Sequence, residues 1–188
     1  MLKNQDVLKS FSWKWVALYT AFLYSTIPFA RGWLDAIKSL LGQNLGFWFN
    51  LFVVTGVLTL LGFLRFNKKF SAIQIGSLII FFVFLIFFVS LINIPEERIH
   101  IFQYAGLGLL IFPFGKNLSL DKTTMAYSFG IIFLVGTGDE LIQWLLPNRV
   151  FDLRDIFFNL LGGGVGILFR VYYFNLSSNG NLFPISHR

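Results

Sequence analysis

The chain has no cysteine, two histidines and, over 188 residues, only 13% charged side chains. Without cysteine there is no disulfide, no thiol nucleophile and no thiolate metal site. An ordinary soluble domain carries about 25% charged residues, so this chain lacks the polar surface to coat a soluble two-domain protein. Acids are the scarcer sign, nine against fifteen Lys and Arg, for a net charge of +6. The basic residues nevertheless form no run longer than Lys68-Lys69. That excludes a nucleic-acid partner and leaves anionic lipid headgroups as the expected one. No G-x-S-x-G elbow and no H-E-x-x-H motif occurs, which sets serine hydrolysis and zincin chemistry aside.

What the chain has is apolar length. It is 56% hydrophobic, with 25 Phe and a mean hydropathy of +0.71. Six apolar stretches stand out, at 16–30, 46–64, 73–92, 100–114, 125–146 and 156–175. A helix crosses the hydrocarbon core with about 20 residues, so the pattern predicts an all-α, polytopic transmembrane helical bundle. About six spans are expected, or five if 100–114 is re-entrant. Lys3, Lys9 and Lys14 precede the first stretch as in a signal peptide, but Pro28 and Arg31 fall where cleavage would occur. The first stretch therefore reads as a retained helix.

Lys and Arg orient the spans. Ten of them fall on the side of the N-terminus and five on the other, which predicts cytoplasmic termini. Seven of the nine acids then lie outward, although acids were not used to set the orientation. The expected organisation is a cytoplasmic segment 1–14, three anchor helices over 15–94, a core with three membrane helices over 95–175, and a cytoplasmic tail 176–188. The chain is then expected to be a multi-pass membrane protein, with the bilayer itself as a partner.

Chemistry gathers in the second half. Around an ideal helix with Asp139 at zero, Gln143 lies at about 40°, Gly136 at about 60° and Glu140 at about 100°. Acids within a span cost ~2.5–3.5 kcal/mol on insertion scales, so they should face protein or trapped water. Next come Pro147, Arg149, Asp152 and Asp155, then Asn159 one turn further and the pair Gly162 and Gly166. That glycine pair predicts close packing of another helix. Asp152 also suits a helix N-cap. Glu96, His100 and Gln103 follow i, i+4, i+7 spacing and share a face of a third helix.

Three uses suit this constellation. Acid/base chemistry would use Glu140 or Asp155 with His100. A divalent-cation site would use the same oxygens with His100 as a ligand. Holding a polar headgroup would use Arg149 and Arg154 as phosphate clamps. Gly136-Thr137-Gly138-Asp139 spells the G-x-G-D of intramembrane aspartyl proteases, but 15–115 supplies no second Asp inside a span.

Taken in order, the elements resemble the VanZ-like family of bacterial membrane proteins. The resemblance rests on Glu96, His100, Tyr104 and Gly106. It continues through Glu140, Gln143, Pro147 and Arg149, and closes on Asp152, Asp155, Ile156, Asn159, Gly162 and Gly166. It covers about 95–170 and implies a role like that of a teicoplanin-resistance accessory factor, without implying a settled reaction. The expectation is a protein that binds a lipid, lipid-linked glycan or lipophilic glycopeptide at the outer leaflet. Glu96, Gln143, Arg149, Asp152 and Asn159 are the candidate binding residues. The alternative is a membrane enzyme acting on a lipid-linked substrate, with His100, Glu140 and Asp155 as its catalytic groups.

Overall fold

In hydrocarbon every backbone N–H and C=O must be paired within the chain, so apolar stretches of this length become helices. The computed structural model describes residues 13–66, 72–90, 92, 95–111, 122–147 and 149–179. Its helices are α1 (Trp13–Leu41), α2 (Leu45–Phe66), α3 (Ala72–Ser90), α4 (Pro95–Ile111), α5 (Lys122–Trp144) and α6 (Leu153–Asn179). A 3-10 turn, Gly42–Asn44, follows α1. Gly42 has φ 57°, a left-handed conformation that glycine adopts without steric cost and that closes a helix. No strand occurs among the described residues, and the protein is an all-α helical bundle.

Among the described residues three helices are long and apolar enough to cross a membrane, over Leu45–Gly62, Lys122–Trp144 and Leu153–Tyr172, and α3 adds a shorter apolar run, Leu78–Phe87. α4 has 17 residues, about 25 Å of helix against a ~30 Å hydrocarbon core. It also carries Glu96, Glu97 and Arg98 in its first turn. α1 runs past the apolar stretch to Leu41 and so takes in Arg31, Asp35 and Lys38.

The chain divides into two compact units. One is Arg31–Pro95, holding α2 and α3, with Leu61, Leu78, Leu85 and Val89 buried. Its outward Phe52, Ile80 and Val83 make the apolar exterior that lipid requires.

The other unit comprises Met1–Ala30 and Glu96–Arg188. Its core is Val16, Tyr104, Leu107, Ile111, Ile132, Ile167 and Val171. α4 lies deep inside it: Ile101, Tyr104, Leu107 and Ile111 are all essentially inaccessible. Glycine lets α6 lie against α4. A Cβ on Gly162 would meet the carbonyl oxygen of Ile101, one on Gly166 that of Ala105, and one on Gly108 that of Gly163. Small residues on both helices thus bring the backbones into direct contact, as membrane helix pairs require.

α1 is held by two tyrosines. Tyr19 donates its hydroxyl to the Gln103 carbonyl on α4 at 2.9 Å, and Tyr24 donates to the Val135 carbonyl on α5 at 2.8 Å. Gly106 and Gly138 provide the space, since a Cβ at either would strike the Tyr19 or Tyr24 hydroxyl. These contacts set α1 and α5 running one way and α4 and α6 the other. The end of α5 and the starts of α4 and α6 therefore meet at one end of the unit.

Candidate functional site

At that meeting point lies a buried polar network. α5 contributes Asp139, Glu140 and Gln143, α4 contributes His100 and Tyr104, and α6 contributes Asn159 and Asp155. Glu140 and Asn159 are wholly inaccessible, and His100 is 9% exposed. Polar groups at such depth are stable only when hydrogen-bonded to one another.

Helical spacing makes part of the network local. Gln143 stands one turn beyond the acids, and its Nε2 donates to Asp139 Oδ1 at 3.2 Å and to Glu140 Oε1 at 3.0 Å. One amide thereby separates two neighbouring carboxylates. The second oxygen of Glu140 accepts from the backbone N–H of Asp152 at 3.0 Å, tying α5 to the approach to α6. Tertiary contacts supply the rest. Tyr104 donates to Asp139 Oδ2 at 3.1 Å. His100 Nδ1 lies 3.0 Å from Asn159 Oδ1, and 3.8 Å from Asp139 Oδ2. An amide oxygen only accepts, so Nδ1 is the donor in this contact, and Nε2 is the nitrogen turned toward the carboxylates. Nε2 faces Asp155 Oδ2 at 3.6 Å, beyond hydrogen-bonding length. Gly136 makes room for this arrangement, because a Cβ there would press on the Asn159 side chain, at 3.1 Å from Nδ2 and 3.2 Å from Cβ.

Asp152 has a different job. Its Oδ1 accepts the Arg154 backbone N–H at 2.9 Å, which caps the start of α6. The Arg154 guanidinium also binds it, with Nη2 2.7 Å from Oδ2. Arg154 holds the Asp152 carboxyl below its usual range. Arg154 reaches Glu97 as well, at 3.6 Å. Arg149 stands apart from these pairs and lines a small cavity with His100, Gln103, Asp139 and Gln143. The opposite wall is α1: Leu23, Thr26, Ile27 and Ala30. The volume is about 40 Å³, room for about one water molecule.

Of the residues singled out in the sequence, the structure brings His100, Glu140, Asp155, Gln143 and Asn159 together, with Arg149 at the cavity and Asp152 at the cap. The side chain of Glu96 lies outside the described residues. Three further participants emerge. Asp139 joins the network through Tyr104 and Gln143, the Tyr104 hydroxyl is one of its donors, and α1 forms a cavity wall. Asp139 was visible as an acid on the polar arc. For α1 the signal was faint: a scatter of hydroxyls, Tyr19, Thr20, Tyr24, Ser25 and Thr26, in an apolar helix.

Ionisable groups packed against one another at one end of a membrane-compatible bundle define a helical membrane protein with a buried polar site. Within that class, the VanZ/LLP1 family model matches residues 9–174. The chain belongs to the VanZ/LLP1 family. No curated protein and no solved structure matches it.

Proposed function

We propose that this protein binds the headgroup of a lipid, a lipid-linked glycan or a lipophilic glycopeptide at the outer leaflet of the bacterial cytoplasmic membrane, a role like that of a teicoplanin-resistance factor. The cavity beside His100 carries this reading. Its polar wall of His100, Gln103, Asp139, Gln143 and Arg149 faces an apolar wall from α1, a pairing that suits an amphiphile. At about 40 Å³ it admits no sugar ring. A phosphoryl or carboxylate oxygen reaches Arg149 while the remainder of the ligand stays at the mouth. Arginine suits that contact, with several donors in a rigid fork and a permanent charge.

The test is teicoplanin susceptibility of a Gram-positive host expressing wild type, Arg149→Gln, Glu140→Gln or Asp155→Asn at matched membrane levels. Protection by wild type that Arg149→Gln abolishes is the expected result. Absence of protection by wild type would remove the resistance role, and protection undiminished in Arg149→Gln would remove the headgroup site.

One observation favours an enzyme as the second reading. His100 is fixed through Nδ1 by Asn159 and presents Nε2 toward Asp155, an arrangement suited to acid/base work on a lipid-linked substrate. Glu140→Gln separates the two: an enzyme loses turnover and keeps ligand, whereas a binder shows no turnover in wild type.

A further inference from the structure

We infer that His100, Glu140 and Asp155 form a binding site for one divalent cation of the Zn²⁺ or Mn²⁺ class. The three residues come from three different helices, and each offers one ligand atom within 4.8 Å of the others. Ligands about 2.1 Å from such an ion lie about 3–4 Å from one another, so closure needs about 1 Å of side-chain movement. The Asp155 side chain, 18% exposed and with no hydrogen bond holding its carboxylate among the described residues, supplies it.

The imidazole gives an independent indication. His100 is nine-tenths buried, and its Nδ1 is committed to Asn159 Oδ1 at 3.0 Å. Nε2 has no hydrogen-bond partner among the described residues and points at the carboxylate of Asp155, 3.6 Å away. A histidine ligand shows this pattern, with one nitrogen fixed by an outer hydrogen bond and the other left free for the metal. Asn159, wholly buried, fixes both tautomer and ring orientation.

Charge leads to the same place. Asp139, Glu140 and Asp155 come together in a region largely closed to water, where the His100 ring nitrogens lie 3.8 Å from Asp139 and 3.6 Å from Asp155. The direct ion pairs of Arg154 are with Asp152 and Glu97. Clustered buried carboxylates demand protons or a cation. The outer hydrogen bonds of Glu140, from Gln143 and the Asp152 amide, hold its oxygens in place as a metal ligand needs. One nitrogen and two carboxylates make a borderline set, suited to Zn²⁺ or Mn²⁺ and short of the six to eight oxygens that Ca²⁺ prefers. Three protein ligands leave coordination positions open.

The site is testable without knowing the ligand or any reaction. The full chain, purified with a histidine-free tag into lipid nanodiscs and stripped with EDTA, is titrated with Mn²⁺ and separately with Zn²⁺. Bound metal is counted after gel filtration. We expect a single bound ion per chain, a higher unfolding temperature with metal, and a pulsed-EPR nitrogen coupling in the Mn²⁺ form. Asp155→Asn and His100→Gln, each checked for wild-type helicity and elution, should lose the ion, and His100→Gln should lose the nitrogen coupling. Asn159→Asp, which keeps an acceptor for Nδ1, should retain binding. Failure of the wild type to take up either ion overturns the site, as does equal uptake by the Asp155 and His100 variants. If metal uptake fails while Arg149→Gln still abolishes protection, only the cation site falls and the headgroup reading stands.

Discussion

His100 and Asn159, 59 residues apart in the chain, are joined by a 3.0 Å contact between Nδ1 and Oδ1. That contact links α4 to α6 and decides which imidazole nitrogen faces the carboxylates. The contact is buried, with Asn159 wholly inaccessible.

Asn159→Leu should therefore destabilise the protein by about 1–3 kcal/mol, the cost of leaving a buried donor unpaired. Asn159→Asp should cost less, because an acceptor remains. Thermal unfolding in detergent, followed by helicity, compares the two. Equal losses would show that shape rather than the hydrogen bond matters at this position.

Tyr24 and Gly138 allow a sharper test. Gly138→Ala places a Cβ against the Tyr24 hydroxyl and should cost about 1–3 kcal/mol through overpacking. Tyr24→Phe removes one hydrogen bond, about 1 kcal/mol. In the double variant the clashing oxygen is gone, so the combined loss should be smaller than the sum of the single losses. Strict additivity would mean that α1 does not dock on α5 through this pair.

Gly166 should tolerate no side chain. A Cβ there meets the Ala105 carbonyl and the backbone beyond it, and a backbone cannot rotate aside. Gly166→Ala should cost at least about 1–3 kcal/mol, and Gly166→Leu should abolish the monodisperse protein seen by fluorescence-detected gel filtration. A normal elution profile for Gly166→Leu would contradict the α4–α6 contact.

Acid should act on the cap of α6 later than on an ordinary carboxylate. Arg154 lowers the Asp152 pKa from its usual 3.8. A group depressed by folding contributes stability above its unfolded pKa and loses it as pH falls through the folded value. The stability gap between wild type and Asp152→Asn should thus be constant from neutral pH down to the usual carboxylate range and close only below it. Unfolding temperatures over a pH series would show this, and a gap that closes near pH 6 would point to another group.

Sidedness can be read directly because the chain has no native cysteine. Val150 is exposed at the site end of the bundle and Lys122 at the start of α5. A cysteine at Val150 should react with an impermeant maleimide in intact cells, and one at Lys122 only after lysis. The opposite result would invert the orientation drawn from Lys and Arg.

Much of this protein is decided by sequence alone. Apolar runs with almost no charge leave helices as the one economical structure in lipid, and among the described residues each of the six stretches overlaps a helix. Spacing also places Asp139, Glu140 and Gln143 on one arc, and their mutual hydrogen bonds follow from a 3.6-residue turn. Asp152, Asp155 and Asn159 were legible as a polar helix start for the same reason. The tertiary structure alone decides which helices meet. Periodicity within α4 cannot reveal that Tyr104 reaches Asp139, or that Gly162 and Gly166 of α6 pack against α4 rather than against another helix. Nor can hydropathy distinguish α1 from an inert anchor, because the features that dock it are two hydroxyls and two glycines on other helices. Local hydrogen bonding and lipid solubility are properties of a single segment, readable residue by residue. Close backbone approach and the choice of hydrogen-bond partner are properties of pairs, and exist only once the helices have packed.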